Sequence, residues 1–434
     1  MMIEKWHAIK NSTFVKNVAI VASGTIAAQI ITIGLSPVIT RLYGPEAFGV
    51  LGVFNAMVQI IAPVAALTLP IAIVLPKREI EAKALARLSI MLSAVIAIMV
   101  LAVLFLFDEQ LVRLLNLEEI GSFIFLVPFV IIFAGLLQVA EQWLIRNQQF
   151  KITARVMFLG ALIVQGSIVL IGLAQPIAAV LIVMTVLGQG IKAMLMMSWT
   201  KKSPYRMSGE EKREIPKRKP LFKQYMDFPK YRAPETFLNA SSQGLPVLML
   251  STFFGPAAAG FYAIGKTVMA LPTTLIGKSV GDVFYPRVTE KVNAKEPITG
   301  LIMKATLGLG AVGIIPFGLV IFFGPELFSF VFGEEWFRAG EYARFIAIWT
   351  FFGFMNRPSV MSLPALKAQR FHLKMTIFML IVRTGALAAG YYLFANDVLA
   401  IAFFGVSGAL LNLLLIGLTL QISRAYDRDL TERH

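Results

Sequence analysis

The stretch "FGPAAAGFYAIGKTVM", residues 254–269, decides the fold, because "YGPEAFGVLGVFNAMV", residues 43–58, matches it at a constant offset of 211 residues. Gly44 aligns with Gly255, a proline follows each of them, and an alanine and a second glycine align further on. An internal repeat of this kind predicts a chain built from two similar halves. Chance similarity between two glycine-rich apolar segments is the alternative.

The composition is that of a membrane protein. Of the 434 residues, 57% are hydrophobic and 15% are charged, and the mean hydropathy is +0.74. A helix crosses the hydrocarbon core with about 20 apolar residues. The sequence therefore predicts an all-α polytopic protein with about twelve transmembrane helices, two sets of six that run in the same direction. The predicted spans lie near residues 17–40, 47–75, 84–106, 120–142, 152–173, 176–199, 236–254, 258–284, 298–323, 342–365, 371–394 and 398–420.

The charges of the connections predict the orientation in the membrane. The two ends of the chain and alternate connections hold 30 of the 40 basic residues, and connection 200–235 alone holds eleven. The opposite connections are acidic, with residues such as Glu118 and Glu334. Because lysine and arginine concentrate on the cytoplasmic side, both termini are predicted to be cytoplasmic. This bias also explains the net charge of +15 without a nucleic-acid partner.

The long basic connection divides the chain into three predicted regions. These are an N-terminal lobe (1–199), a basic cytoplasmic linker (200–235) and a C-terminal lobe with a cytoplasmic tail (236–434). In the linker, "PLFKQYMDFP" predicts a short helix on the membrane surface. Its apolar face would hold Leu221, Phe222, Tyr225 and Phe228. A disordered linker is the alternative.

Two short motifs resemble enzyme signatures but lack their context. "GFYAIGKT", residues 260–267, fits the phosphate-binding pattern G-x-x-x-x-G-K-[ST], yet it lies inside a predicted span. An irregular phosphate-cradling loop there would leave backbone groups unpaired in lipid, so no ATP binding is expected. "DRD", residues 427–429, resembles a glycosyltransferase metal motif without a surrounding domain. With no cysteine and three scattered histidines, the sequence predicts no metal site, no cofactor and no enzymatic activity.

Three intramembrane cations are the candidate functional residues, namely Lys266, Arg357 and Arg383. A charge at mid-bilayer costs about 2.5 kcal/mol or more, so it faces a partner or a wet cavity. Cations outnumber the interior carboxylates, which are Glu141 and Asp282. This excess predicts an anionic substrate, and phosphate or pyrophosphate suits arginine and lysine.

Two further interior lysines have plainer interpretations. Lys278 lies four residues before Asp282 and would pair with it, and Lys192 would extend to the membrane surface. Glu141 and Asp282 are also the candidates for ion coupling, with H+ or Na+ as the ion.

Polar residues in the spans predict a cavity between the halves. The alternative is hydrogen bonding between neighbouring helices, at about 0.6 kcal/mol per bond. The cavity-lining candidates are Gln29, Asn55, Gln59, Asn239, Gln243 and Thr273.

Three longer stretches resemble a known family. They are "RLYGPEAFGVLGVFNA" (41–56), "YMDFPKYRAPETFLNASSQGLPVLML" (225–250) and "GFYAIGKTVMALPTTLIGKSVGDVFYP" (260–286). They are similar to the polysaccharide-biosynthesis (Wzx-type) flippases of the multidrug/oligosaccharidyl-lipid/polysaccharide (MOP) exporter superfamily. The resemblance implies a V-shaped, two-lobed protein of the bacterial inner membrane, its lobes related by a pseudo-two-fold axis along the membrane normal. It also places a basic residue at Lys266.

The resemblance also implies a function and partners. The substrate would be an undecaprenyl-pyrophosphate-linked oligosaccharide for O-antigen (the lipopolysaccharide side chain), capsule or exopolysaccharide, moved by ion-coupled alternating access without ATP. The partners would be membrane lipids, a polysaccharide polymerase and a chain-length regulator, and the protein would be a monomer.

Three alternative functions stay open at this point. A drug antiporter of the MATE type would favour interior carboxylates, whereas this sequence favours cations. A lipid II flippase usually has two extra spans. A membrane-embedded glycosyltransferase needs a large outer loop, but the longest outer connections, 107–119 and 324–341, are short.

The charge pattern makes a direct prediction about topology. Reporter fusions after residues 80, 215 and 425 should show cytoplasmic placement, and fusions near residues 113 and 333 periplasmic placement, because the basic connections stay inside. A periplasmic result at residue 215 would refute the twelve-span arrangement.

Overall fold

A computed structural model describes residues 13–114, 121–200 and 218–432. The regular secondary structure of these residues is helical, which confirms the predicted all-α class. The helices up to the linker are α1 (Thr13–Ile61), α2 (Glu79–Leu114), α3 (Val127–Arg146), α4 (Phe150–Gly172), α5 (Ala178–Trp199) and α6 (Arg218–Gln224). The remaining helices are α7 (Ala233–Phe254), α8 (Pro256–Asn293), α9 (Thr299–Phe332), α10 (Phe337–Met355), α11 (Arg357–Ser362), α12 (Gln369–Phe394) and α13 (Asp397–Glu432).

Eight helices in the described part of the chain are long and apolar enough to cross a membrane. They are α1 to α5, α9, α12 and α13. The first predicted span, 17–40, lies within α1, whereas the second, 47–75, begins in α1 and continues into the two 3-10 helices that follow it. Within the described residues, α7, α8 and α10 contain no stretch that meets the same standard of length and composition. The count of twelve spans therefore stays a prediction.

The repeated glycine–proline pair has the same backbone conformation in both halves. Gly44 interrupts α1 with φ 66° and ψ 171°, and Gly255 precedes α8 with φ 84° and ψ 173°. Glycine is suited to these positive φ values because it has no Cβ. The proline that follows has no N–H to leave unpaired at the start of the next helical segment. The sequence repeat thus corresponds to a structural repeat at these positions.

The chain divides into two compact units, residues 1–248 and 249–434. The boundary falls inside α7, two residues after Pro246. The linker helix α6 and most of α7 therefore belong to the first unit by their contacts. The predicted regions 1–199, 200–235 and 236–434 were assigned by membrane spans and stay a prediction.

In the first unit, the apolar face of the linker packs against protein. Leu221 is buried in a core cluster with Leu69, Ile73 and Trp143. The other three predicted face residues, Phe222, Tyr225 and Phe228, pack against the same cluster. The apolar face therefore contacts protein, and the location of this helix on the membrane surface stays a prediction. The 3-10 helix Leu69–Val74, together with α2 and α3, supplies the protein surface that covers this face.

Hydrogen bonds also connect the segments around this core cluster. Arg146, at the end of α3, donates to the carbonyl oxygens of Ile73 at 3.1 Å and Pro76 at 2.7 Å. The Thr68 hydroxyl donates to the Phe228 carbonyl at 3.1 Å. The linker is thereby attached to the first unit by polar as well as apolar contacts.

In the second unit, Asp427 of the "DRD" motif caps α9. Its carboxylate accepts hydrogen bonds from the backbone N–H of Ile298 at 2.9 Å and of Thr299 at 3.1 Å. These are donors that the first turn of a helix leaves unpaired. The first aspartate of the motif therefore has a structural role here.

We predict that Asp427→Ala destabilises the second unit by about 1–2 kcal/mol, the usual cost of losing a helix cap. The measurement is thermal or denaturant unfolding of the purified protein in detergent. Asp429→Ala is the control, because Asp429 is exposed two residues further along the same helix. Equal losses in both variants would show that Asp427 does not act as a cap.

Candidate functional site

The P-loop-like stretch is helical throughout. Residues 260–267 lie within α8, and the Thr267 hydroxyl donates to the Ala263 carbonyl of the same helix at 2.8 Å. A Cβ placed at Gly265 would lie 3.1 Å from Ile346 Cδ1 of α10. The glycine thus permits close helix packing and forms no phosphate cradle, as the sequence argument predicts.

Arg383 is held between two aromatic rings in the second unit. Its guanidinium carbon lies 3.8 Å from the centre of the Trp349 ring and 4.2 Å from that of Phe404. These residues come from α12, α10 and α13, respectively. Stacking on both sides fixes the plane of the guanidinium and leaves its edge for hydrogen bonding.

The edge of this guanidinium has an unused donor. Within the described part of the chain, the Arg383 Nε is buried and has no hydrogen-bond partner. A buried donor without a partner costs about 1–3 kcal/mol, and more when it is charged. Such a group in a native protein calls for a ligand, an ion or a water molecule.

Lys266 lies close enough to Arg383 for their charges to interact. Tyr262, one turn earlier on α8, is 1% exposed, and the charge of Arg383 also acts on it. Lys266, Arg383, Tyr262, Trp349 and Phe404 are called the cationic cluster below. Two like charges held near each other in a low-dielectric interior repel, and a bound anion would offset that repulsion.

Arg357 does not belong to the cationic cluster. It is the first residue of α11, directly after the break that ends α10, and it is half-buried. Among the described residues, no hydrogen bond or ion pair involves Arg357. The structure therefore brings together two of the three predicted cations, Lys266 and Arg383.

The predicted cavity-lining residues fall into three groups. Gln59, Asn239 and Gln243 are exposed, whereas Gln29 and Asn55 are half-buried. Exposed polar groups are costly in hydrocarbon, so the first three favour a water-filled surface. The Thr273 hydroxyl instead donates to the Ala270 carbonyl of its own helix at 2.7 Å, which leaves it a local role.

In the first unit, Lys192 has a carboxylate neighbour. The charges of Lys192 on α5 and Glu141 on α3 act on each other. The stem of Lys192 lies against α4, where a Cβ at Gly160 would be 2.8 Å from Lys192 Cγ. Lys192 therefore has a carboxylate of opposite charge near it inside the unit. The side chains of Lys278 and Asp282 lie outside the described residues.

The sequence reasoning did not identify the aromatic members of the cluster. Tyr262, Trp349 and Phe404 belong to three helices, and nothing in their local sequence distinguishes them from core aromatics. In the structure, Gly408 of α13 leaves room for the cluster, since a Cβ there would lie 2.7 Å from Trp349 Cδ1 and 3.1 Å from Arg383 Nε.

The fold is that of a known class of membrane protein. A multidrug resistance MATE family transporter of the MOP superfamily, in an inward-facing conformation, matches with a TM-score of 0.73 and 11% identity over 94% of this chain and 99% of its own. A MOP superfamily transporter from Pyrococcus furiosus, described by a binding pocket of reverse polarity, matches with a TM-score of 0.57 and 12% identity over 96% of both chains. At these identities the likeness establishes the fold alone.

The family follows from the sequence. The family model described as "Polysaccharide biosynthesis protein" matches residues 38–341, which is more than half of the chain. The protein belongs to this polysaccharide biosynthesis family, as the resemblance predicted. No curated protein matches the sequence.

We predict that Gly408→Ala lowers the stability of the protein by about 1–3 kcal/mol, the usual cost of overpacking, because the new methyl group would displace Trp349 and Arg383. Gly417→Ala is the matched control, since it lies on α13 with no atom within 4 Å of its Cβ position. Thermal unfolding of the two variants provides the measurement. Equal stability would show that the cationic cluster is not packed as described.

Proposed function

We propose that the protein is a flippase for polyprenyl-pyrophosphate-linked oligosaccharides, which it moves from the cytoplasmic to the periplasmic leaflet for surface polysaccharide synthesis. Membership of the polysaccharide biosynthesis family and the fold of MOP transporters support transport within that process. Neither the helical fold nor any motif of the chain supports ATP hydrolysis or sugar transfer as its own activity.

The observation that carries the proposal is the stacked Arg383 with its unpaired Nε beside Lys266. A pyrophosphate offers several charged oxygens, and an arginine with a fixed plane can bind two of them through parallel hydrogen bonds. Lys266 adds a compact positive charge to the same anion. The lipid-linked sugars carry this pyrophosphate at the junction between glycan and lipid, so the cluster would recognise the part common to different glycans.

The other parts of the substrate would meet other surfaces. The glycan needs hydrogen-bonding groups in water, and Gln59, Asn239 and Gln243 are exposed polar residues of the spans. The polyprenyl tail is apolar and would stay in lipid. Arg357 would contact the anion at another stage of transport, because it stands apart from the cluster in this structure.

The mechanism would be alternating access coupled to H+ or Na+. The binding of the anion would stabilise one arrangement of the chain, and a ligand shifts such an equilibrium by its differential affinity for the two states. Glu141 stays a candidate for the coupling step, because it is an interior carboxylate whose charge interacts with that of Lys192.

A MATE-type export of cationic drugs fits the cluster poorly. Cationic drugs need interior acceptors, whereas Lys266 and Arg383 present positive charge. Pocket polarity varies within the superfamily, since the Pyrococcus furiosus transporter is described by its reverse polarity. The fold therefore accommodates either chemistry, and the cations favour an anionic substrate.

We predict that Lys266→Ala and Arg383→Ala each lower export of surface polysaccharide by about tenfold or more, because a charge-assisted hydrogen bond contributes about 1.5–3 kcal/mol. Lys266→Arg should keep part of the activity, while Arg383→Lys should lose more because the planar stack and the paired hydrogen bonds are lost. The measurement is complementation of a deletion strain, with a blot for the amount of membrane protein.

Lys304→Ala is the control, because Lys304 is an exposed cation on α9 outside the cluster. Arg357→Ala tests whether the third predicted cation contributes. If Lys266→Ala and Arg383→Ala both complement fully at normal abundance, the anion site is wrong. If they fail while the accumulated intermediate has no lipid pyrophosphate, the substrate class is wrong.

A further inference from the structure

The second predicted span and its counterpart in the other half end with different backbones. In the first half, α1 ends at Ile61, and residues 62–75 form the 3-10 helices Ala62–Val64 and Leu69–Val74 with a turn between them. At the repeat offset of 211 residues, the counterpart is residues 273–286, which lie inside α8 and are α-helical. Equivalent segments are therefore broken in one half and continuous in the other. Residues 62–75 are called the broken segment below.

The turn inside the broken segment has an unfavourable backbone. Leu67 and Thr68 have φ values of 50° and 55°, in the left-handed region. A Cβ makes this region costly, and the branched side chain of Thr68 adds to the cost. Such residues persist where surrounding contacts hold them, and they concentrate at segments that change conformation. The surroundings of the broken segment should therefore supply specific contacts.

Side chains of α3 supply two of these contacts. Gln138 donates to the Ala62 carbonyl at 2.5 Å. Arg146 donates to the Ile73 carbonyl at 3.1 Å. In a continuous α-helix, the backbone N–H four residues further along would bond to each of these carbonyl groups. Both side chains therefore stabilise the broken form in preference to a helical one.

The linker also contacts the broken segment. The Thr68 hydroxyl donates to the Phe228 carbonyl at 3.1 Å. Leu221 packs against Leu69 and Ile73. A 3-10 helix has three residues per turn and an α-helix has 3.6, so a change between them re-orients the side chains along the segment. This packing surface for the linker therefore exists only while the segment is broken.

Two prolines oppose the helical form. Pro63 and Pro70 have no N–H, so a continuous helix through the segment would lack two backbone hydrogen bonds. Helix α8 contains Pro272 and Pro286 and is nevertheless continuous. The broken form has the cost of its left-handed turn, and the helical form has the cost of its prolines. Neither cost excludes the other form.

We propose that residues 62–75 switch between the broken form and an α-helical form, and that the linker is the latch of this switch. In the broken form the linker is docked on the segment. In the helical form it is released, because its packing surface and the hydrogen bond between Thr68 and Phe228 are lost. The switch links the backbone of the second predicted span to the connection between the two halves, and it does not depend on which substrate the protein moves.

Glycine substitutions test the left-handed turn. Leu67→Gly removes the Cβ cost of the broken form and lowers helix propensity, so it should shift the equilibrium toward the broken form by about tenfold. Ala65→Gly is the matched control, because Ala65 has φ −51° and ψ −32° in the broken form and would have similar angles in an α-helix. This change should leave the equilibrium as it is in the native chain.

The readout is the accessibility of a buried linker residue. The native chain has no cysteine, so Leu221→Cys introduces a single thiol at a position that is 4% exposed in the docked linker. We expect a water-soluble thiol reagent to modify this position slowly, through the released form. Adding Leu67→Gly should slow the modification about tenfold, whereas Ala65→Gly should not change it. Lys223→Cys, on the exposed face of the linker helix, should react fast in every background.

Loss of the latch should shift the equilibrium the other way. Thr68→Val removes the hydroxyl that binds the linker, and its branched side chain keeps the cost of the left-handed turn. Adding this change to Leu221→Cys should raise the modification rate about fivefold, the equivalent of one hydrogen bond.

A distance measurement reports the form of the segment directly. Spin labels at Gln59→Cys and Lys77→Cys lie 18 positions apart in the sequence. A continuous helix of this length spans about 27 Å. We expect a component near this distance in the otherwise native chain, which grows with Thr68→Val and disappears with Leu67→Gly.

Four outcomes overturn the proposal. They are no modification of Leu221→Cys at all, a rate that Leu67→Gly does not lower, an equal lowering by Ala65→Gly, and a rate that Thr68→Val does not raise. The spin-label pair covers the case in which Thr68→Val does not fold, because it reports on a chain whose segment is unchanged. A distance distribution of that chain without a component near the helical value also overturns the proposal.

Discussion

The hydrogen-bonding needs of the backbone in an apolar environment constrain the whole structure. Hydrocarbon offers no partner for an exposed N–H or C=O, so spanning segments are helical and every break has a cost. The helix breaks at the two glycine–proline pairs therefore occur at residues whose backbone tolerates them. Gly44 and Gly255 have positive φ values, and the proline after each has no donor to leave unpaired. The break at Asn356 is followed by Pro358, and its amide nitrogen bonds to Asn412.

The buried charges of the two units have different kinds of neighbour. In the first unit, Lys192 and Glu141 have opposite charges that act on each other across α5 and α3. In the second unit, the charges of Lys266 and Arg383 have the same sign, and Arg383 is stabilised by the faces of Trp349 and Phe404. Aromatic faces stabilise a cation without neutralising it. Within the described residues, Lys192 thus has an opposite charge beside it, whereas Arg383 has aromatic faces and a second cation.

Much of this arrangement could be predicted from the sequence, because it depends on local patterns. Apolar length predicts the helices, the glycine–proline repeat predicts two similar halves, and the rejection of a P-loop follows from its place inside a span. The partners of each charge depend instead on the register between distant helices. Nothing local indicates that Arg383 stacks on Trp349 while Arg357 stands apart. The same holds for the linker helix. An apolar face such as that of Leu221 can pack against a membrane surface or against protein, and the local sequence does not distinguish the two.

The two halves of the repeat agree in the residues that set the backbone conformation and differ in the side chains that set the chemistry. The glycines and prolines of the two halves agree in type and in backbone conformation, because the backbone can turn in few ways within the membrane. The side chains on the helices that follow are free to differ. At the repeat offset, Asn55 of the first half occupies the position of Lys266 in the second. One scaffold thereby holds a neutral amide in one half of the repeat and a cation in the other, and under the proposed function this difference, rather than the fold, would provide the binding of an anion.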